Sequence, residues 1–387
     1  MKKVFLRQSF LEILFFVILF SLLNARLVRS DNSDPFELNQ EGIEAAEKGD
    51  FEKAVTKLEQ AYHSKNEAQI AKNLSKILSD WAIKLYNQNQ SDQALLKLED
   101  SVKYDSSNGP AWYFMGDIHY LKRSNFESAL KAWKKALETA PNQIRPAIIE
   151  RISRAETDMK LERNFNAKES AHFVVRYPES VSQSFVESVI SILESEYQKL
   201  SSELNVSPSR LNVIVYPKQS FDRLSSRFDW ALGFYDGRIR IRENELGSGL
   251  ETTILSHELA HAFLQNGFGA NVSTWIHEGY AQTREPPRNF SEDEKEVLEG
   301  VKNRTKWIPL EWIDKRFVQP VDSDDVTRAY LQSSIAVSYL IQKFGMDQFR
   351  QFLKVISQGK SISEAFDRTF RSLKWSAFSN GSFVESI

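Results

Sequence analysis

The chain has no cysteine among its 387 residues. Disulfides, thiolate metal sites and cysteine nucleophiles are therefore excluded together. A cysteine-free chain suits an oxidising compartment as well as a reducing one, so this absence does not locate the protein. Histidine is also scarce, at six residues, so any cluster of it stands out. A dominant charge is missing too. The 50 basic and 52 acidic residues leave a formal net charge of −2, which offers no basic footprint for nucleic acid. A hydrophobic content of 41% with 26% charged residues is that of an ordinary globular chain. At this length it should hold more than one domain.

Lys2, Lys3 and Arg7 precede an apolar run at residues 13–23. This order matches the n-region and h-region of a secretory signal. The run is short for a membrane span, and Glu12 stops its extension. Cleavage after Ala25 or Ser30, and retention of residues 1–30 as an N-terminal membrane anchor, all remain open. Each places the bulk of the chain outside the cytoplasm, in the periplasm or cell envelope. Residues 31–36 read as a polar linker.

Residues 37–162 are helical in pattern, almost free of Pro and Gly. They repeat when small residues are aligned. Gly49-Asp50-Phe51-Glu52-Lys53-Ala54 with Ala61 matches Gln90-Ser91-Asp92-Gln93-Ala94 with Ser101. It matches again at Ser124-Asn125-Phe126-Glu127-Ser128-Ala129 with Ala136. The spacing from Ala54 to Ala94 to Ala129 is close to the 34-residue helix-turn-helix repeat. Three tetratricopeptide-like units and a trailing helix over residues 144–161 are expected. Such an array offers a concave surface to a peptide or protein partner; a helical cap packed on the catalytic part is the alternative. His63 and His119 fall inside these repeats and read as structural.

After a polar junction the pattern changes. Phe173, Val175 and Tyr177 alternate like a strand ending at Pro178, and residues 211–216 form a second strand ended by Pro217. An amphipathic helix is predicted between them, over residues 181–204. Ile239 and Ile241 alternate with Arg238, Arg240 and Arg242, which reads as an edge strand with one wet face. The arginines are then a solvated face, or less plausibly a selector of acidic substrates. Further helices are predicted over residues 328–344, 348–356 and 363–370. Residues 374–387 read as a loose C-terminal tail. The fold class expected for residues 170–373 is α+β, a small mixed sheet followed by mostly helices.

The densest chemistry lies in residues 256–282. They read Ser256-His257-Glu258-Leu259-Ala260-His261, then a turn with Gly267 and Gly269, then Trp275-Ile276-His277-Glu278-Gly279-Tyr280-Ala281-Gln282. On a helix over residues 250–264, His257 and His261 project from one face about a turn apart. Two imidazoles at that spacing can bind one Zn²⁺, and Glu258 between them can reach a water on it. A second helix is expected from an N-cap at Ser273 or Thr274 to Pro286-Pro287. Glu278 in its first turns could supply a third ligand, although the helix dipole alone also favours an acid there.

His257-Glu258-x-x-His261 followed by Trp275-x-x-Glu278-Gly279 resembles the gluzincin (MA-like) zinc peptidases, especially those of bacterial cell-envelope proteins that carry tetratricopeptide repeats. The resemblance spans about residues 170–370. Ser170-Ala171-His172-Phe173-Val174-Val175-Arg176-Tyr177 looks like the opening strand, and Trp230-Ala231-Leu232-Gly233-Phe234-Tyr235-Asp236-Gly237 like the approach to the edge strand. Ala329-Tyr330-Leu331-Gln332-Ser333-Ser334 resembles the helix that closes the site. What the resemblance implies is a zinc metallopeptidase, with Zn²⁺ held by His257, His261 and Glu278 and a water in the fourth place. Glu258 would act as general base, then general acid. Tyr330 is the candidate for steadying the oxyanion, with a packed core tyrosine as the alternative. Gln282 and Glu285, on the face of Glu278, are candidates for hydrogen-bonding a ligand imidazole. Related peptidases carry an acid at the first of these positions, so Gln282 departs from the pattern. His277 is expected to point away from the metal.

No Gly-Ala-Met-Glu-Asn string is present, which favours endopeptidase over aminopeptidase action. A different class stays open: a non-catalytic tetratricopeptide adaptor of the cell envelope whose degenerate peptidase domain binds peptide without turnover. The presence of both histidines, Glu258 and Glu278 argues against decay.

Overall fold

The computed structural model describes residues 34–88, 90–224, 233–243, 250–269, 271–285, 291–321 and 324–384. The expected signal or anchor segment lies outside the described residues, as do residues 230–232 and Pro286-Pro287. Among the described residues, no helix is long and apolar enough to cross a membrane. The fold is α+β: mostly helix, with one small mixed sheet of five strands. The chain divides into two compact units, one within residues 1–78 and 103–106, the other comprising residues 79–102 and 107–387. The division therefore falls inside the helical region and not at the junction after residue 162.

In the first unit, helix α1 (Pro35–Glu47) begins at Asp34, whose carboxylate accepts from the Phe36 N–H. Pro35 and Phe36 thus belong to the helix, and the linker expected over residues 31–36 is shorter than that. Proline suits the first turn, where its missing N–H costs nothing. Helix α2 (Phe51–Ser64) is capped by Asp50, which accepts from Lys53 N–H at 3.2 Å. Leu38 and Ala45 of α1 are buried, as are Ala54, Leu58 and Ala61 of α2. Helix α3 (Ala68–Asn87) starts in this unit.

The second unit takes the end of α3, most of α4 (Ser91–Tyr104), α5 (Gly109–Asp117), α6 (Phe126–Thr139) and α7 (Arg145–Glu162). Ala94 and Ser101 in α4, and Ala129 and Ala136 in α6, are all buried. Asn125 caps α6 as Asp50 caps α2. The small residues that align in the sequence are thus all buried. Helix α5 continues into a π-helical turn, Ile118–Lys122. The carbonyls of Leu121 and Lys122 accept from Asn212 Nδ2 at 2.8 and 3.1 Å.

The strands are β1 (Asn166–Glu169), β2 (Phe173–Tyr177), β3 (Leu211–Tyr216), β4 (Gly233–Tyr235) and β5 (Ile239–Arg242), in the order β1-β2-β3-β5-β4. β2, β3 and β5 are parallel, with antiparallel β1 and β4 at the two edges. Phe173, Val175, Val213, Val215, Ile239 and Ile241 share one core with helix α8 (Gln183–Leu204), through Val186, Val189, Leu193 and Leu200. Ile214 and Tyr216 face the other way, onto Phe221. That is the two-residue alternation of a pleated strand.

The arginine face corrects the sequence expectation in two respects. β5 is internal, and β4 is the edge strand on that side. Arg238 and Arg240 are 0% and 1% exposed, because α7 covers them and supplies the counter-charges. Arg240 donates to Asp158 at 2.6 Å, to Tyr216 Oη at 2.6 Å, to Tyr120 Oη at 2.8 Å and to Asp236 at 3.0 Å. Arg238 pairs with Glu162 and with Asp158, and Tyr216 donates to Glu162 at 2.6 Å. Burial alone would drive these groups neutral; with opposite charges and hydrogen bonds in place they stay ionised. Asp158 is accordingly held below the usual carboxylate range: burial opposes this, and Arg240 and Arg238 outweigh it.

The remaining helices are α9 (Lys218–Leu224), α10 (Leu250–Phe268), α11 (Thr274–Gln282), α12 (Glu292–Lys302), α13 (Leu310–Val318), α14 (Asp325–Phe344), α15 (Met346–Ser357), α16 (Ile362–Thr369) and α17 (Trp375–Ser379). The C-terminal tail is not loose through residue 384. Phe378, Phe383 and Val384 are buried in the main core, Trp375 stacks on Trp275, and Trp307 Nε1 donates to Ser379 O at 2.8 Å. The aromatic content of that short stretch outweighs its polar look.

Removing one member of the buried cluster strands the others. Arg240→Met or Asp158→Ala should each lower stability by about 3–5 kcal/mol, read as the midpoint of urea unfolding. Asp158→Leu combined with Arg240→Met should cost less than the two separate losses added together. Midpoints unchanged in both single variants would show that the cluster does not hold the sheet to α7.

Candidate metal centre

Helix α10 carries the first three site residues. It runs past its predicted end, through Gly267, and Gly269 closes it with a φ of +81°. The reason is space. A Cβ on Gly267 would lie 2.6 Å from Val206 Cγ2, so close packing retains a glycine inside the helix. Leu255, Leu259, Ala262 and Phe263 bury the far face of α10. Ser256 Oγ donates to Glu196 Oε2 on α8 at 2.9 Å. With that face locked, His257, Glu258 and His261 emerge together on the other.

Helix α11 supplies the fourth residue, Glu278. Ser273 occupies the N-cap position, but its side chain makes no capping bond. Asp314 of α13 caps instead, accepting from the N–H groups of Thr274 and Trp275 at 3.1 and 3.0 Å and from Ser273 Oγ. Helix α11 also lies against α14. A Cβ on Gly279 would stand 2.2 Å from the Ser333 carbonyl oxygen, so only glycine allows this approach. It is the residue after Glu278, and its contact sets where Glu278 stands.

His257 Nε2 and His261 Nε2 are 3.1 Å apart, and Glu278 Oε2 is 3.6 Å from each. Ligand atoms around a tetrahedral Zn²⁺ with bonds of about 2.0–2.1 Å stand about 3.3 Å from one another. The triangle has that size. Glu278 Oε2 is buried and has no hydrogen-bond partner, an expensive state for a carboxylate oxygen unless a cation faces it. These three residues group as a set able to hold a metal ion.

The surroundings fix the donors. Glu285 Oε1 lies 2.7 Å from His257 Nδ1, which places the ring proton on Nδ1 and leaves the Nε2 lone pair for a cation. Of the two candidates, Glu285 makes this bond; among the described residues, Gln282 contacts neither imidazole. His277 lies behind His261, on the side of the ring away from the ligand nitrogen Nε2. Its ring stacks on His261 at 5.6 Å between centroids, with the two Nδ1 atoms 3.4 Å apart. Glu258 is nearly buried, at 7% exposed, and lies against the edge strand. A Cβ on Gly233 of β4 would be 3.2 Å from Glu258 Cγ. Tyr330 projects from α14 and meets Phe317 edge-on at 5.1 Å between centroids.

Three carboxylates surround two imidazoles here, and several of the site's groups are shifted by it. Burial pushes Glu258 up. Burial also opposes charge on His257, but Glu278 and Glu285 raise it to about 10. For Glu278, burial is outweighed by His261 and His257, which hold it well below the carboxylate range. Burial, with His261 beside it, pushes His277 down to about 3. Burial pushes the Tyr330 hydroxyl up, and the nearby charges of Glu278, Glu258 and Glu285 add to this. The surplus of negative charge is what a divalent cation offsets.

No protein-family model matches the chain, and no curated protein matches it. The site is read from its own geometry.

Sequence spacing alone missed three contributors: the remote cap Asp314, the Ser256–Glu196 tie and the His261–His277 contact. Each joins residues far apart in the chain or on separate helices. Glu285→Ala should weaken Zn²⁺ binding about 10–100-fold, measured by competition with a chromophoric chelator. Gly279→Val should abolish stoichiometric zinc binding by forcing α11 off α14, while Gln282→Ala leaves zinc affinity unchanged.

Proposed function

We propose that this protein is a zinc-dependent metallopeptidase, acting as an endopeptidase, of the gluzincin type, with tetratricopeptide-like repeats that dock a protein partner or substrate. One observation carries the reading: two histidine nitrogens and an orphaned buried carboxylate oxygen converge at ligand spacing, with the buried acid Glu258 between the histidines in sequence. A set of three protein ligands with a fourth position left open is a catalytic arrangement, not a structural one.

His257, His261 and Glu278 would hold the ion, and Glu285 would keep His257 in the right tautomer. A bound Zn²⁺ supplies Lewis acidity, lowering the pKa of a water from about 15.7 toward 7 and polarising the scissile carbonyl. Glu258 takes the proton from the attacking water and delivers it to the departing amine. Its raised pKa suits both halves of that transfer. Tyr330, half-buried, stays protonated and donates a hydrogen bond to the carbonyl oxygen as negative charge develops there. The edge strand β4 lies against α10, and among the described residues no strand pairs with its outer side, where an extended substrate would add. Export to the periplasm or cell envelope, with or without an N-terminal tether, completes the proposal and rests on the pattern in residues 1–30.

The test is zinc content and cleavage of a quenched peptide or casein by the purified chain. Wild type should hold one equivalent of zinc and show chelator-sensitive cleavage. Glu258→Gln should keep the zinc and lose about 10²–10⁴-fold in kcat. Tyr330→Phe should lower kcat by about 10²–10³-fold with little change in KM. A chain that binds no zinc sinks the peptidase. Zinc binding without cleavage by any form would instead favour a peptide-binding adaptor.

A further inference from the structure

A second polar site lies on the face of the sheet that the metal centre does not use. A pocket of about 520 Å³ opens between the start of α4, the end of the π turn and strands β2 and β3. Its wall holds four basic residues against two acids, Asp92 and Glu169. Two of the basic residues are already paired: Arg123 with Asp92 at 2.7 Å, and Arg210 with Glu169. Arg176 is not. It projects from β2 opposite the apolar-core face, and its Nε is buried without a hydrogen-bond partner. Among the described residues, its guanidinium forms no ion pair.

Ser91 Oγ, at the first residue of α4, is likewise buried without a partner and lines the same pocket. Two stranded polar groups at one cavity, a guanidinium and a hydroxyl, are costly to leave unpaired. Both are satisfied by one acceptor-rich ligand. A guanidinium matches a phosphate or carboxylate oxygen pair through parallel N–H bonds. Lys122 is engaged elsewhere, its Nζ donating to Asn266 Oδ1 at 2.6 Å, but the three arginines still outnumber the two acids, which favours the more highly charged anion. Gln90, Gln93 and Asn212 complete the wall, and the volume lies in the range of small-molecule sites and exceeds a bare oxyanion.

We propose that this pocket binds the phosphate group of a small polar phosphate monoester, with Arg176 as the principal ligand, Ser91 donating a hydrogen bond and Arg210 adding charge at the rim. The site is independent of the metal centre and of the peptidase reading. The same headgroup chemistry could be presented by a free metabolite or by a lipid.

The experiment uses the purified full-length chain. Glycerol 3-phosphate and inorganic phosphate are titrated calorimetrically, and vesicles of phosphatidylcholine with and without phosphatidic acid are tested by co-sedimentation. Wild type should bind one equivalent of glycerol 3-phosphate, or sediment selectively with phosphatidic acid if the source is lipid. Arg176→Gln should weaken that binding at least tenfold with zinc content unchanged. Arg210→Gln, at an exposed position that leaves folding intact, should weaken it about threefold and keeps the test valid if Arg176→Gln misfolds. No saturable binding of any probe by wild type overturns the proposal, as does binding that both variants retain at full strength.

Discussion

Two arginine side chains buried between a helix and a sheet are the constraint on which the second unit depends. Arg238 and Arg240 lie next to each other on one face of β5, where their like charges would repel. Asp158 and Glu162, one turn apart on α7, and the hydroxyls of Tyr120 and Tyr216 offset that repulsion. Such a cluster tolerates only one alignment, because a shift by a single residue turns the arginines into the apolar core. It therefore fixes the register of β5 against α7, and β4 follows through its antiparallel pairing with β5. Helix α7 and the sheet are held together by this cluster.

The candidate metal centre depends on that placement from the other side. Helix α10 is held by apolar packing to the sheet and by Ser256 on Glu196, with β4 pressed against Glu258. Helix α11 is positioned from outside, by Asp314 at its start and by the Gly279–Ser333 approach along its length. Each imidazole gets its orientation from a partner on another element: His257 from Glu285, His261 from His277. The result is a rigid set of donors, which a metal site that is to select both ion and geometry requires. On the opposite face of the sheet, Arg176 Nε and Ser91 Oγ are buried without a hydrogen-bond partner among the described residues, so the two faces carry different chemistry.

Much of this was legible in the residues. The small residues Ala54, Ala61, Ala94, Ser101, Ala129 and Ala136, aligned in the sequence, are all buried in the helical region. The alternation in residues 173–177 and 211–216 marked the strands, each ended by a proline. The His257-Glu258-x-x-His261 spacing placed both imidazoles on one helix face, since that depends only on 3.6 residues per turn. Glu285 was among the candidates by the same arithmetic. What periodicity cannot carry is the identity of the surface that covers a polar face. Arg238, Arg240 and Arg242 look alike in sequence, yet the first two are enclosed by α7 and Arg242 pairs with Asp222 at 3.6 Å nearer the solvent.

By itself, then, the sequence determined the local periods: which stretches are helix or strand, where chains of small residues let helices meet, and which side chains share a helical face. Those follow from backbone geometry over a few residues. The tertiary structure decided which strand lies at the edge, where the buried charges find their partners, and how Glu278 comes within ligand distance of two histidines. It also decided that residues 375–384 pack rather than trail. Each of these depends on contacts between residues tens of positions apart, whose energies arise only once the chain has closed on itself.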